Sequence, residues 1–114
     1  MIEVILYDFL TSKMSVPVKT EIPQDPPLKY CLIEKTGGSE TNFIKRSTVA
    51  IQSYGQSLYD AASLNEVLKE TMLAADGLIM LDSIVSVNLS SDYNFTDTTT
   101  KKYRYQAVFE IVHY

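Results

Sequence analysis

The sequence predicts an α+β domain: a mostly antiparallel sheet with an N-terminal helix and a central helix packed on one face, in the order α-β-β-β-α-β-β. Three observations carry this. Apolar residues recur at helical spacing in two places, 1–14 and 58–75. Extended runs rich in β-branched and aromatic residues fill most of the remainder, bounded by Pro and Gly. The strands follow one another with a single helix between the third and the fourth, an order that favours antiparallel or mixed pairing with helices to one side.

The first helix is expected over Met1–Met14. Ile2, Ile5, Leu6, Phe9 and Leu10 repeat at i, i+3, i+4, i+7 and i+8, and Glu3 and Lys13 complement the helix dipole. Pro17 stops propagation, because it has no N–H and disfavours helical backbone at Val16. Val16–Ile22 is β-prone but bounded by Pro17 and Pro23, which restrict it to an edge strand. Three prolines stiffen the loop Pro23–Pro27, and Leu28–Glu34 reads as the next strand. The run Gly37-Gly38-Ser39 is expected to end it and to turn the chain into a strand over Asn42–Tyr54, closed by Gly55.

The central helix has the clearest punctuation. Ser57-Leu58-Tyr59-Asp60 resembles a capping box, and Leu58, Ala61, Leu64, Leu68, Met72 and Ala75 form one stripe. Gly77 stands where a left-handed C-terminal residue is expected. Beyond it, Val85, Val87 and Leu89 alternate with polar residues as in a half-buried strand. In the last strand Tyr103, Tyr105, Ala107, Phe109 and Ile111 share one face, and Arg104, Gln106, Val108, Glu110 and Val112 share the other. The polar character of that second face implies that it is open or covered by another molecule. Between these strands Ser91–Lys102, dense in Asp and Thr, reads as a long polar connection.

Composition narrows the function classes. The 114 residues fit one domain. Ten basic and fourteen acidic residues give a net charge of −4, the wrong sign for gripping phosphates by charge alone. Cys31 is the one cysteine, so no internal disulfide forms, and no apolar run has the length of a membrane span. A soluble protein of a reducing cytosol is expected. The sequons at Asn88 and Asn94 are then chance matches.

Reactive groups are few. His113 is the only histidine; as a general base it lacks a recognisable nucleophile and orienting acid, and it reads as a strand-end residue beside the sheet or exposed. Cys31 lies in an apolar strand and reads as a structural thiol. No Cys/His or Asp/Glu spacing suits zinc or calcium, and no cofactor is implied. The Gly37-Gly38 run is not followed by a helix or a Gly-Lys-Ser/Thr, so a turn is preferred to a phosphate cradle. Lys101–Phe109 mixes bases and aromatics as RNA-binding sheets do, but its tyrosines share the face of Phe109 and Ile111 and so are expected in the core.

What remains unexplained by core demand is polar and exposed. Ser91, Asp92, Asn94, Asp97, Thr98, Thr99, Thr100, Lys101, Lys102 and Arg104 are candidates for a binding arm that orders against a partner. The shorter connection, with Gly37, Gly38, Ser39, Glu40 and Thr41, is a second candidate.

The whole-chain layout resembles the tail terminator (tail completion) proteins of long-tailed bacteriophages and prophages. The resemblance covers the N-terminal amphipathic helix, the Pro-rich piece ending in Pro27-Leu28-Lys29-Tyr30-Cys31-Leu32-Ile33 and the strand Val49–Tyr54. It continues through the helix from Ser57 and the terminal strand Tyr103–Ile111. It implies a non-enzymatic structural protein. The chain would assemble as a ring, typically a hexamer, on the last ring of the tail tube, stop tube growth and form the surface that joins the head. The partners implied are other copies of the chain, the major tail tube protein and a head completion or connector protein, with no membrane and no specific nucleic acid. The setting implied is the host bacterial cytoplasm during assembly and then the virion. A head-side connector or neck protein is the alternative within assembly proteins; a small ligand-binding or enzymatic domain is the alternative from another class.

Overall fold

A computed structural model describes residues 1–74, 83–100 and 102–114. The α+β class and element order are as expected. Helix α1 spans Ile2–Lys13 and α2 spans Leu58–Leu73; the strands are β1 (Val18–Lys19), β2 (Tyr30–Thr41), β3 (Ile44–Gly55), β4 (Ile84–Asn94) and β5 (Tyr103–His113). The sheet order is β1-β2-β3-β5-β4. Only the β1–β2 pair is parallel.

Both helices lie on one face of the sheet. Ile2, Leu6, Phe9 and Leu10 of α1 and Leu64, Leu68 and Met72 of α2 join one buried cluster. Their partners from the sheet are Cys31, Ile33, Val49, Ile51, Val87, Ala107, Phe109 and Ile111. Each strand contributes alternate residues, as the two-residue period of a pleated strand requires. Burying a large apolar side chain stabilises by about 1.5–3 kcal/mol, so this cluster is the main source of fold stability. On the other face Tyr30, Leu32 and Tyr54 form a separate small cluster that includes no helix residue.

The helix ends follow local chemistry. α1 stops at Met14, whose backbone is extended (φ −92°, ψ 146°) and whose N–H donates to the Leu10 carbonyl, three residues before Pro17. At α2, Ser57 Oγ accepts from Asp60 N at 3.1 Å, the expected N-cap bond. The Asp60 carboxylate is turned to Lys29 Nζ at 3.7 Å. α2 gives way to extended backbone at Ala74 (φ −61°, ψ 135°), just before the expected end at Ala75; Ala75 and the expected cap at Gly77 lie outside the described residues. Gly55 is demanded by close approach: a Cβ there would stand 2.6 Å from Ala61 N, inside the first turn of α2.

Several expectations need correction. The edge strand expected over Val16–Ile22 is reduced to Val18 and Lys19, with Pro17 supplying a carbonyl to Cys31 N (3.0 Å); the flanking prolines leave little backbone able to pair. Gly37, Gly38, Ser39, Glu40 and Thr41 are not the hairpin connection. They lie within β2 and pair with Thr48 to Ile44 of β3, after a bulge between Lys35 and Gly37. The turn is Asn42-Phe43, both with positive φ (52° and 67°), so Asn42 does not begin the next strand. Ser91, Asp92 and Asn94 are likewise not in a loop. Residues 91–94 belong to β4 and pair with Val108 to Tyr105, and an isolated bridge joins Asp97 to Lys102. Val85 is no inward residue either: the register shifts between Ile84 and Ser86, leaving Val85 44% exposed while Ile84 turns inward. Tyr103 and Tyr105 are half-buried rather than part of the buried core.

The register places the two hairpin tips. β3 meets β5 with Lys45 opposite His113 and Gly55 opposite Tyr103. The β2–β3 turn therefore projects from the His113 end of the sheet, and the β4–β5 tip projects from the Gly55 end. The result is an elongated body with extents of 44 × 25 × 25 Å.

Candidate functional site

The sequence-derived candidates fall on these two arms and are not brought together. Gly37 to Thr41 are exposed along the outer half of β2, where β1 no longer covers the edge, because β1 pairs only with Cys31 and Leu32. The second set sits at the opposite end and is more ordered than a polar connection suggests. Asp97 accepts from Thr99 N (3.0 Å) and Thr100 N (3.4 Å), a turn closed by its own side chain. Hydrogen bonds from Thr100 and Thr99 hold the Asp97 carboxyl below its usual pKa. Thr98, Thr99, Thr100 and Lys102 are exposed at the apex; Lys101 lies outside the described residues.

Asp92 is anchored rather than free. The bulge between Leu89 and Ser91 shifts the strand phase and brings Asp92 opposite Ala107, on the helix-bearing face. There it accepts from Asn65 Nδ2 (2.7 Å) and from Lys69 Nζ of α2. Lys69 also meets Glu66 at 2.8 Å, and these bonds, Asp92 first, raise its pKa. Asn65 Oδ1 is buried without a partner, so the Asp92 bond is what compensates burial of this side chain.

Arg104 organises the open face. Its guanidinium carbon stands 4.4 Å from the Phe95 ring centre and 5.9 Å from that of Tyr54. Nε donates to the Phe95 carbonyl (2.7 Å) and Nη1 to Tyr54 Oη (3.1 Å). From Tyr54 a directional chain of donors crosses three strands. Tyr54 Oη donates to Gln52 Oε1 (2.8 Å), Gln52 Nε2 to Gln106 Oε1 (2.9 Å), and Gln106 Nε2 to Tyr93 Oη. Tyr30 stacks on Tyr54, centres 4.5 Å apart and planes within 4°, and Tyr93 meets Phe95 edge-on at 5.9 Å. Burial, followed by the neighbouring Tyr54, pushes the Tyr30 pKa up. Such a connected network rigidifies the face opposite the two helices. Sequence reasoning named Arg104 but missed Gln52, Tyr54, Gln106 and Tyr93. Their signal was present in the strand period, since Gln52 and Tyr54, like Arg104 and Gln106, are two apart and share a face.

The remaining reactive groups are sealed. Cys31 is fully buried and its thiol is pushed up to about 12, leaving it protonated near neutrality. His113 is buried, with Nδ1 3.2 Å from the Tyr114 carbonyl and Nε2 2.8 Å from Ser47 Oγ. A carbonyl only accepts, so Nδ1 carries the proton and Ser47 donates to Nε2 of a neutral ring. Burial lowers the His113 pKa; the Tyr114 carbonyl opposes this, and Lys45, Lys35 and the N-terminus add to it. The spacing is that of a nucleophile and its base, a pairing missed in the sequence, yet Ser47 and His113 are only 2% and 4% exposed. Among the described residues no group of three or more His, Cys, Asp or Glu could hold a metal, and no helix is long and apolar enough to cross a membrane.

The chain matches no protein-family model and no curated protein sequence.

Proposed function

We propose that this chain is a structural assembly protein of the phage tail terminator class: a subunit of a ring that caps the tail tube, stops its growth and presents the surface that joins the head. The observation that supports the reading is the disposition of the two arms. They project from opposite ends of an elongated sheet whose second face carries no helix among the described residues. A subunit in a stacked assembly needs contacts above, below and to either side, and such a body offers distinct surfaces in each direction. The polar Asp/Thr apex of the β4–β5 arm suits a wet contact between layers, held in shape by Asp97 and Arg104.

The test is polymerisation of tail tube protein in the presence of the purified chain, read by electron microscopy. Tubes should stop growing and carry a ring of extra density at one end. A variant with residues 98–101 replaced by Asn-Gly, which leaves Asp92 and β4 intact, should fold and fail to cap. Tubes that grow without limit beside the intact chain would overturn the reading; density only on head particles would select a connector instead.

A further inference from the structure

Across the described residues, the Arg104 network is bonded within the subunit and the Ser47–His113 pair is sealed. The apex of the first hairpin is different. Phe43 is 87% exposed, the most exposed large apolar side chain among the described residues, and it sits with φ at 67°. A two-residue turn with positive φ at both positions is the type I′ hairpin turn, for which Asn-Gly is the preferred pair. Asn42 obeys that preference and Phe43 breaks it, because a bulky side chain is disfavoured in the left-handed region. A strained backbone that holds an aromatic ring out in water is a local conflict with no gain inside the subunit, which points to a gain outside it.

The same chain carries an open groove of mixed character with apolar side chains in its walls. A groove of about 640 Å³ runs between α1 and the segment after β1, with Val4, Tyr7, Ile22 and Pro23 in its walls and Lys19, Thr20, Glu21 and Gln24 beside them. Val4, Tyr7 and Ile22 are 50%, 39% and 61% exposed. The hairpin apex is flanked by Glu40 and Lys45, which pair across the strands, so each surface brings one acid and one base to its rim. Phe43 does not fill its own groove: it is absent from the groove's walls and stands in water.

We propose that Phe43 of one copy inserts into the α1–Ile22 groove of a second copy, with Glu40 and Lys45 meeting Lys19 and Glu21 at the rim. Knob and groove are different surfaces of one molecule, so the contact is head-to-tail and each subunit both gives and receives. Such contacts close into a ring or continue as a filament. The pairwise contact stands by itself; only its closure into a tail-capping ring rests on the reading above.

Two variants test it by sedimentation over a range of concentrations. Phe43→Gly removes the knob and suits the turn; Ile22→Ser dulls the groove at an exposed site. The wild-type chain should gain mass with concentration, while each variant alone stays monomeric over the same range. An equimolar mixture should stop at dimers, because F43G still offers a groove and I22S still offers a knob. A thermal melt of F43G no lower than wild type confirms that its loss of association is not loss of fold. The proposal is overturned if F43G associates like wild type, if the wild-type chain stays monomeric throughout, or if the mixture stays monomeric. Any of these leaves the capping reading to be decided by the tube assay, and association without capping would sink that reading while sparing the contact.

Discussion

The two hairpins of this protein solve the same problem in opposite ways. The β4–β5 arm is long and polar, and it is held at three levels: Asp92 to α2 at its base, Arg104 to Phe95 and Tyr54 in its middle, and Asp97 to its own turn at the apex. The β2–β3 arm has the shorter turn and fewer supports. Thr36 Oγ1 to the Thr48 carbonyl (3.3 Å), Thr48 Oγ1 to Glu110 (2.9 Å) and Ser47 Oγ to His113 Nε2 (2.8 Å) are its side-chain bonds, all at its base, and its apex is strained. A polar tip can satisfy itself with short Asx and Thr bonds, whereas an aromatic at a turn satisfies nothing within the subunit. Polarity in the sequence therefore marked the arm with more side-chain bonds of its own.

The largest blow to this contrast falls at the base of the second arm. Asp92→Ala removes the partner of buried Asn65 Nδ2, beside an Oδ1 that already lacks one, and leaves Lys69 with Glu66 alone. A loss of about 1–3 kcal/mol is expected, read as a fall in the urea midpoint with an unchanged slope. An unchanged midpoint would show that the arm does not depend on α2. At the other arm the sign reverses. Phe43→Gly should stabilise the monomer by about 1 kcal/mol, because relief of the left-handed backbone outweighs the entropy of an added glycine. A lower midpoint would mean that the ring packs on its own hairpin and is not strained for an outside purpose.

The smallest effect is that of pH on the His113 end. The folded-state pKa of His113 is depressed, chiefly by burial. In the window below about 6.5, the ordinary histidine value, the unfolded chain takes up the proton first. Its contribution is therefore present above that pH and is lost as pH falls toward the depressed folded value. His113→Gln should flatten the dependence of the melting temperature across that window, while the wild type declines as the pH falls. An equal slope in both would remove the histidine from the account.

Much of this was legible in the residues and some of it was not. The α1 stripe of Ile2, Leu6, Phe9 and Leu10, the Ser57 cap and the inward row Ala107, Phe109, Ile111 all follow from short-range periodicity and capping chemistry. The place of the first turn did not. Two glycines outweighed Asn42 in the reading, yet Gly37 and Gly38 continue the ladder because the Thr48–Ser47 backbone opposite them is there to pair. Asp92 reads as a loop residue because only the bulge at Leu89–Ser91 and the approach of α2 give it a buried partner.

The sequence by itself determined the class of fold, the order of the elements and which side of each helix is apolar, since these depend on neighbours within a turn or a pleat of one another. Tertiary structure alone decided the strand register, the direction in which each arm projects and the Gln52–Gln106 link, because these join residues dozens of positions apart. Pairing energy is nearly the same for adjacent registers of a polar strand, so the choice falls to bulges and to what packs against them.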